Sequence, residues 1–170
     1  YQANNLLFEV IDLPGTYSLD AGDQVTSLDE RVARDFIEQG GTDLIVNIID
    51  GSNLERNLYL TTQLADMGVA LLVVVNMMDV AQAKSMQINI DKLALSLGCP
   101  VVPMVASQKT GLTDLRHAIA RAVKHPVGAS LSTQYDPTLE QAVLKLSAQI
   151  KLSMPDCAQP RWLATRLLEG

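Results

Sequence analysis

Short apolar runs alternate along this chain with segments whose apolar residues recur at helical spacing. That alternation restricts the fold more than any other feature of the sequence. The runs are 6–13 (LLFEVIDL), 43–50 (DLIVNIID), 69–76 (VALLVVVN) and 100–105 (PVVPMV). Between the first two, residues 27–39 carry Leu28, Val32, Phe36 and Ile37 at helical spacing. Ser27 and Glu30 suit a capping box there, and Gly40-Gly41 suits a stop. A second helix is expected from a cap at Ser52 or Asn53 to about Met67, closed by Gly68. A short third spans 91–97 before Gly98. A fourth spans 112–124, with Arg121, Lys124 and His125 near its negative end. The order β-α-β-α-β-α-β-α predicts a mostly parallel sheet with right-handed crossovers and helices on both faces. Strands buried on both faces also suit a chain that is 48% hydrophobic and only 19% charged.

The character changes after Pro126. Ser, Thr and Gly precede Pro137, a helical segment spans 138–152, and a Pro-rich break at 155–160 leads to a last helix from Arg161. Two units are therefore expected, 1–126 and a small helical appendix at 127–170. A formal charge of −6 argues against a nucleic-acid surface. Cys99 and Cys157 lie far apart and outside any metal-ligand spacing, as reduced thiols of a cytosolic protein would. No apolar run approaches the roughly 18 residues of a membrane helix. His117 and His125 have no persuasive ligand neighbours and read as surface or helix-end residues.

Ligands of open α/β sheets bind beyond the carboxyl ends of the strands, so the residues there carry the functional argument. After the first run stands Asp12-Leu13-Pro14-Gly15. A carboxylate at that place can hold a Mg²⁺-bound water, and the glycine lets a backbone N–H approach a γ-phosphate. The same four residues also describe an ordinary Pro-Gly turn. After the third run stands Asn76-Met77-Met78-Asp79. An aspartate can accept from N1–H and N2–H₂ of guanine together, a pair adenine does not offer. Asn and Asp are common turn residues too. After the fourth run stand Val105, Ala106 and Ser107, small enough to let a backbone N–H reach guanine O6. Taken singly each is weak. In this order, each at a strand end, they describe a guanine-nucleotide site.

Three features depart from that pattern. No GxxxxGK[ST] phosphate-binding loop occurs in the sequence. Tyr1 falls where a hairpin would lead into DxxG, so the first strand and that loop are expected upstream of it. The chain as written is expected to bind nucleotide poorly and to be inactive. Thr16 stands where Ras-like proteins place a water-orienting Gln, so the catalytic group is unknown and hydrolysis is expected to be slow; Gln24 lies nearby. Met77 replaces a common Lys and admits two readings, a sulfur packed on the purine face or a plain core residue.

The segments 12–19 (DLPGTYSL), 50–60 (DGSNLERNLYL) and 76–79 (NMMD) together resemble the FeoB family of bacterial ferrous iron transporters. The likeness extends through 98–103 (GCPVVP), 161–163 (RWL) and 167–170 (LLEG). It implies a Ras-like P-loop GTPase domain of the TrmE-Era-like type, followed by a GDP-dissociation-inhibitor-like helical spacer that starts at 127. It implies GTP or GDP with Mg²⁺ as ligands, and slow GTP hydrolysis that gates or drives Fe²⁺ uptake. In that frame Asp12, Leu13, Pro14 and Gly15 bind Mg²⁺ and γ-phosphate, and switch II starts at Thr16. Asn76, Met77, Met78 and Asp79 select guanine, supported by Val105, Ala106 and Ser107. Implied partners are the membrane-embedded part of the same polypeptide, small Feo accessory proteins and further copies, at the cytoplasmic face of the inner membrane. Family members bind an activating K⁺ through a P-loop Asn, a position outside this chain. Asn53, Glu55, Arg56 and Asn57 read either as a capped, solvated first helical turn or as a surface that addresses the spacer or the membrane part. Two rivals remain: a G protein acting on ribosomes or tRNA, and an α/β interaction module without nucleotide.

Overall fold

Leu71 to Val75 are completely or almost completely shielded from solvent, five consecutive residues of one strand. A central parallel strand covered on both faces has this pattern, and the rest of the fold follows from covering it. The computed structural model describes residues 2–3, 6–16, 28–39, 41–126, 136–155, 157 and 160–169. Among these, β1 (Gln2–Ala3) and β2 (Leu6–Leu7) form an antiparallel ribbon. Helix α1 (Leu28–Gln39) precedes β3 (Ile45–Asp50), and a 3-10 turn (Gly51–Asn53) leads into α2 (Leu54–Asp66). Then come β4 (Leu71–Asn76), α3 (Met78–Ala83), α4 (Ile90–Leu97), β5 (Val101–Pro103) and α5 (Leu112–Lys124). Helices α6 (Pro137–Ser153) and α7 (Pro160–Glu169) close the chain.

The sheet has order β3-β4-β5, all parallel, with Asp50 beside Asn76 and Val75 beside Pro103. Alternate side chains of β4 go to opposite faces. Leu71, Val73 and Val75 join Ile37, Ile49, Leu64, Met67 and Leu97 beneath α1, α2 and α4. Leu72 and Val74 join Val102, Ala118 and Ala122 beneath α5. Each such Leu, Ile, Val or Met side chain contributes about 1.5–3 kcal/mol when fully buried. The expected α/β architecture with helices on both faces is thus realised.

Several elements differ from expectation. The run 6–13 was expected as a long first strand, but only Leu6–Leu7 pairs, and 8–16 has no regular structure. A strand exists only through its ladder, and among the described residues none continues one past Leu7. β5 stops at Pro103 rather than 105. Met104 N–H still reaches Val75 O at 2.8 Å, then Val105 leaves the sheet to bond Thr110 instead. Helix α3 lies in a stretch that reads as polar turn, because six residues are too few to show a helical period. Asn53 stands at the cap position of α2, as expected, but its side chain makes no cap bond there; Asp50 caps the preceding turn, its Oδ1 accepting from Ser52 N–H at 2.7 Å. The capping box at Ser27 and Glu30 lies outside the described residues and side chains. Gly98, by contrast, closes α4 in the left-handed region as expected, with φ 61°.

Candidate nucleotide site

Three loops leave the carboxyl ends of β3, β4 and β5 side by side. The parallel register alone places them so, since Asp50, Asn76 and Pro103 stand at successive strand ends. Asn76 joins two of them. Its Oδ1 accepts from Ala106 N–H at 3.0 Å, thirty residues away. Met78 N–H donates to Met104 O at 3.3 Å, a second tie between the same loops. The structure therefore brings Asn76–Asp79 together with Val105–Ser107, as their sequence spacing suggested.

Met77 adopts the left-handed region, φ 59° and ψ 34°, and is 43% exposed. Its position answers the question left open by the sequence: it is not a core residue. A non-glycine residue held there costs on the order of 1–3 kcal/mol and is typically found at ligand sites. The turn it makes starts α3 with Asp79 in the first turn. Asp79 is exposed, and its Oδ1 accepts from Val80 N–H at 3.0 Å. A carboxylate has about four acceptor positions, so this bond leaves both oxygens able to accept again.

The β5 loop is tightened into a small hairpin. Val105 and Thr110 exchange backbone bonds of 3.1 and 3.2 Å. The turn between them has Lys109 at φ 57°, and Gly111, at φ 84°, leads from it into α5. A Cβ on Gly111 would lie 2.4 Å from Pro103 O, so only glycine fits. In the sequence Gly111 stands only as part of the loop that follows Val105–Ser107; the Thr-Gly pair before a helical run was the available signal of its role. Within the 3-10 turn Ala106–Gln108 the first internal bond is Gln108 N–H to Val105 O, 3.1 Å.

Asp12 is exposed in the 8–16 segment, which has no regular secondary structure, while Leu13 packs on the larger core. Nothing approaches within 4 Å of a Cβ placed on Gly15. As a Mg²⁺ position Asp12 fits the ion's habit, since Mg²⁺ takes one or two carboxylates plus waters and phosphate oxygens rather than a protein cage. Among the described residues no cluster of three His, Cys, Asp or Glu could hold a metal. Gln24 and most of the segment after Thr16 lie outside the described residues.

The polar residues of 50–60 divide by role. Asp50 caps a turn, and Asn57 Nδ2 donates to Asn53 O at 2.8 Å. Buried Thr61 accepts from Asn47 Nδ2 at 2.9 Å and donates to Asn57 O at 3.3 Å. Glu55 and Arg56 are exposed on the first turn of α2. His117 and His125 are likewise exposed.

Comparison with known proteins accords with this geometry. The family model described as Ferrous iron transport protein B matches residues 1–119. The Fe(2+) transporter FeoB of Escherichia coli K12 is 42% identical over 161 residues, 95% of this chain and 20% of that protein. The Salmonella typhimurium LT2 transporter gives the same identity and coverage. The chain thus spans about a fifth of the length of the curated relatives it matches. Among solved structures, the cytosolic domain of L. pneumophila FeoB superposes with TM-score 0.90 at 32% identity, covering 100% of this chain and 72% of that one. The mGMPPNP-bound NFeoB from S. thermophilus gives 0.81 at 37%, covering 93% and 57%. The FeoB G-domain from Methanococcus jannaschii gives 0.63 at 50%, covering 67% and 70%. With the family model matched over most of its length and the site loops tied as described, this chain belongs to the FeoB family of ferrous iron transport proteins.

Proposed function

We propose that this chain is the guanine-nucleotide-binding part of a bacterial Fe²⁺ transporter, in which slow GTP hydrolysis gates or drives ferrous iron uptake. The observation that carries the reading is the Asn76 Oδ1 to Ala106 N–H bond. It locks the β4 and β5 loops into one surface with Asp79 at its rim. Guanine docks there with N1–H and N2–H₂ on the Asp79 carboxylate. The Ala106 amide is already engaged by Asn76, so O6 is received by Ser107 N–H, which precedes the first internal bond of its turn. Met77 lays its side chain on the base, and Met78 anchors the loop from beneath. Asp12 to Gly15 takes Mg²⁺, through a bound water, and the γ-phosphate.

Mg²⁺ would screen the phosphates, and the chain's own residues select the base. Thr16 offers no amide to orient water, so turnover is slow. Nucleotide-bound relatives of the same fold support the reading: the S. thermophilus NFeoB structures hold mGMPPNP, GMPPNP and GDP. Residues 1–126 form the G domain and 127–170 the start of the helical spacer. The domain lies at the cytoplasmic face of the inner membrane. Its partners are the membrane-embedded part of the same protein, small Feo accessory proteins and further copies. Any K⁺ activation depends on a residue outside this chain. Among the described residues no helix is long and apolar enough to cross a membrane.

Calorimetric titration of GDP, GTP, ATP and XDP into the full-length protein tests this. Guanine nucleotides are expected to bind and ATP not, with Asp79→Asn shifting preference to xanthine. If no nucleotide binds, the α/β unit is an adaptor and the proposal fails.

A further inference from the structure

The Asp50–Asn53 segment opens the longest motif that the base and phosphate contacts leave unexplained. In the structure it sits under the base loop. Gly51 is buried, and a Cβ placed on it would lie 3.0 Å from Asn76 O, 3.0 Å from Val75 Cγ1 and 3.3 Å from Ile88 Cδ1. The first of these is backbone of the residue that bridges the two base loops. Asp50 Oδ1 draws in Ser52 N–H at 2.7 Å and so shapes the turn. From the other side, Lys84 Nζ donates to Ser52 Oγ at 3.3 Å. Lys84 immediately follows α3, the helix whose first turn carries Asp79, and α3 packs along the 51–53 turn. Lys84 N–H in turn caps α3 on Val80 O and Ala81 O, both at 3.1 Å. Both ends of the Asn76–Lys84 stretch thus bear on one turn: Asn76 through van der Waals contact with Gly51, Lys84 through Ser52.

We propose that the Gly51–Asn53 turn and Lys84 are positioning residues for base selection, holding Asn76 and Asp79 at the spacing that guanine requires. The inference rests on the nucleotide reading given above. None of these groups touches the base. They act by fixing where the Asp79 carboxylate stands relative to the Ala106–Ser107 amides. A bidentate contact tolerates little displacement, whereas a single hydrogen bond can follow a moved partner. Loosening the seat therefore weakens GDP more than IDP, which lacks the 2-amino group and offers Asp79 only N1–H.

The test is the ratio of GDP to IDP affinity in the full-length protein, with thermal midpoint measured alongside. Lys84→Met keeps the aliphatic stem of an exposed side chain and removes the donor to Ser52. It is expected to weaken GDP by about two- to fivefold and IDP by less, lowering the ratio with the midpoint unchanged. Ser52→Ala is expected to do the same, and the pair together no more than either alone, since both delete one bond. Gly51→Val, which drives side-chain atoms against Asn76 O, is expected to lower the ratio further. An unchanged ratio in both Lys84→Met and Ser52→Ala overturns the proposal, whatever Gly51→Val does to folding. If the unmodified protein does not prefer GDP to ADP, the nucleotide reading itself fails, and that outcome is distinct from a flat ratio in a protein that does.

Discussion

Gly111 is held by two independent constraints, a φ of +84° and a carbonyl oxygen 2.4 Å from where a Cβ would be. Gly111→Ala must move the Val105–Thr110 hairpin away from Pro103. Backbone strain of this kind costs on the order of 1–3 kcal/mol, so a lower thermal midpoint by calorimetry is expected, together with weaker guanine binding. Cys99 makes a prediction in pH. Burial pushes its thiol up from 9.0 to about 11. Below pH 9.0 folded and unfolded states both keep the proton, and the contribution of burial is complete. Between 9.0 and about 11 the unfolded thiol ionises first, so stability falls as pH rises. Urea midpoints taken at about pH 8 and about pH 10.5 should diverge in the native sequence and less so in Cys99→Ala.

At the scale of elements, β3 and α2 are joined by a polar contact inside an apolar layer. Asn47 Nδ2 donates to Thr61 Oγ1 at 2.9 Å, with Thr61 wholly buried. Thr61→Val leaves the Asn47 amide without its acceptor and should cost about 1–3 kcal/mol by chemical denaturation. Asn47→Leu with Thr61→Val removes both partners and should recover much of that loss. A double variant no better than the single one would show that the bond does not hold the helix in register. Asn57, one turn before Thr61, donates its side-chain Nδ2–H to Asn53 O at 2.8 Å, which explains part of the polarity of 50–60 without any partner protein.

Across the whole molecule, α7 faces the sheet layer and α2 with Trp162, Thr165 and Arg166. Trp162 packs on the larger core, with Arg166 stacked 5.8 Å from its ring centroid. Arg161 binds both Glu140 oxygens, at 2.7 and 3.1 Å, and ties α7 to α6. Val143, Ile150 and Ala164 give that helix pair a small core of its own. Trp162→Ala should therefore loosen the pair from the sheet layer while leaving the pair intact. Hydrogen exchange is expected to rise in α2, where Trp162 and Arg166 line a groove with Tyr59, Thr62, Gln63 and Asp66. Exchange within the α6–α7 contact should change less, and GDP affinity should stay within about twofold. Equal loosening throughout α6 and α7 would contradict a separate helical unit at 127–170.

Much of this was legible in the chain itself. The run 69–75 reads as a central strand because it is continuously apolar, rich in Val, strand-sized and bounded by Gly68 and Asn76. Helix α5 matches its expected limits because its apolar stripe, the glycine before it and the basic last turn all agree. The three strand-end motifs were readable as types of residue in order. What tertiary structure alone decided is their mutual placement: that Asn76 reaches Ala106, that Asp50 caps the turn ahead of α2, and that Met77 stands exposed in a left-handed turn. Helix α3 and the short β2 were also beyond sequence, for one reason. Periodicity reports which face of a long segment is buried, but a six-residue helix shows too few turns and a strand without a described neighbour has no ladder. Local pattern determines which elements can form; contacts between residues thirty apart determine which side chains meet, and those contacts are made only when the sheet is assembled.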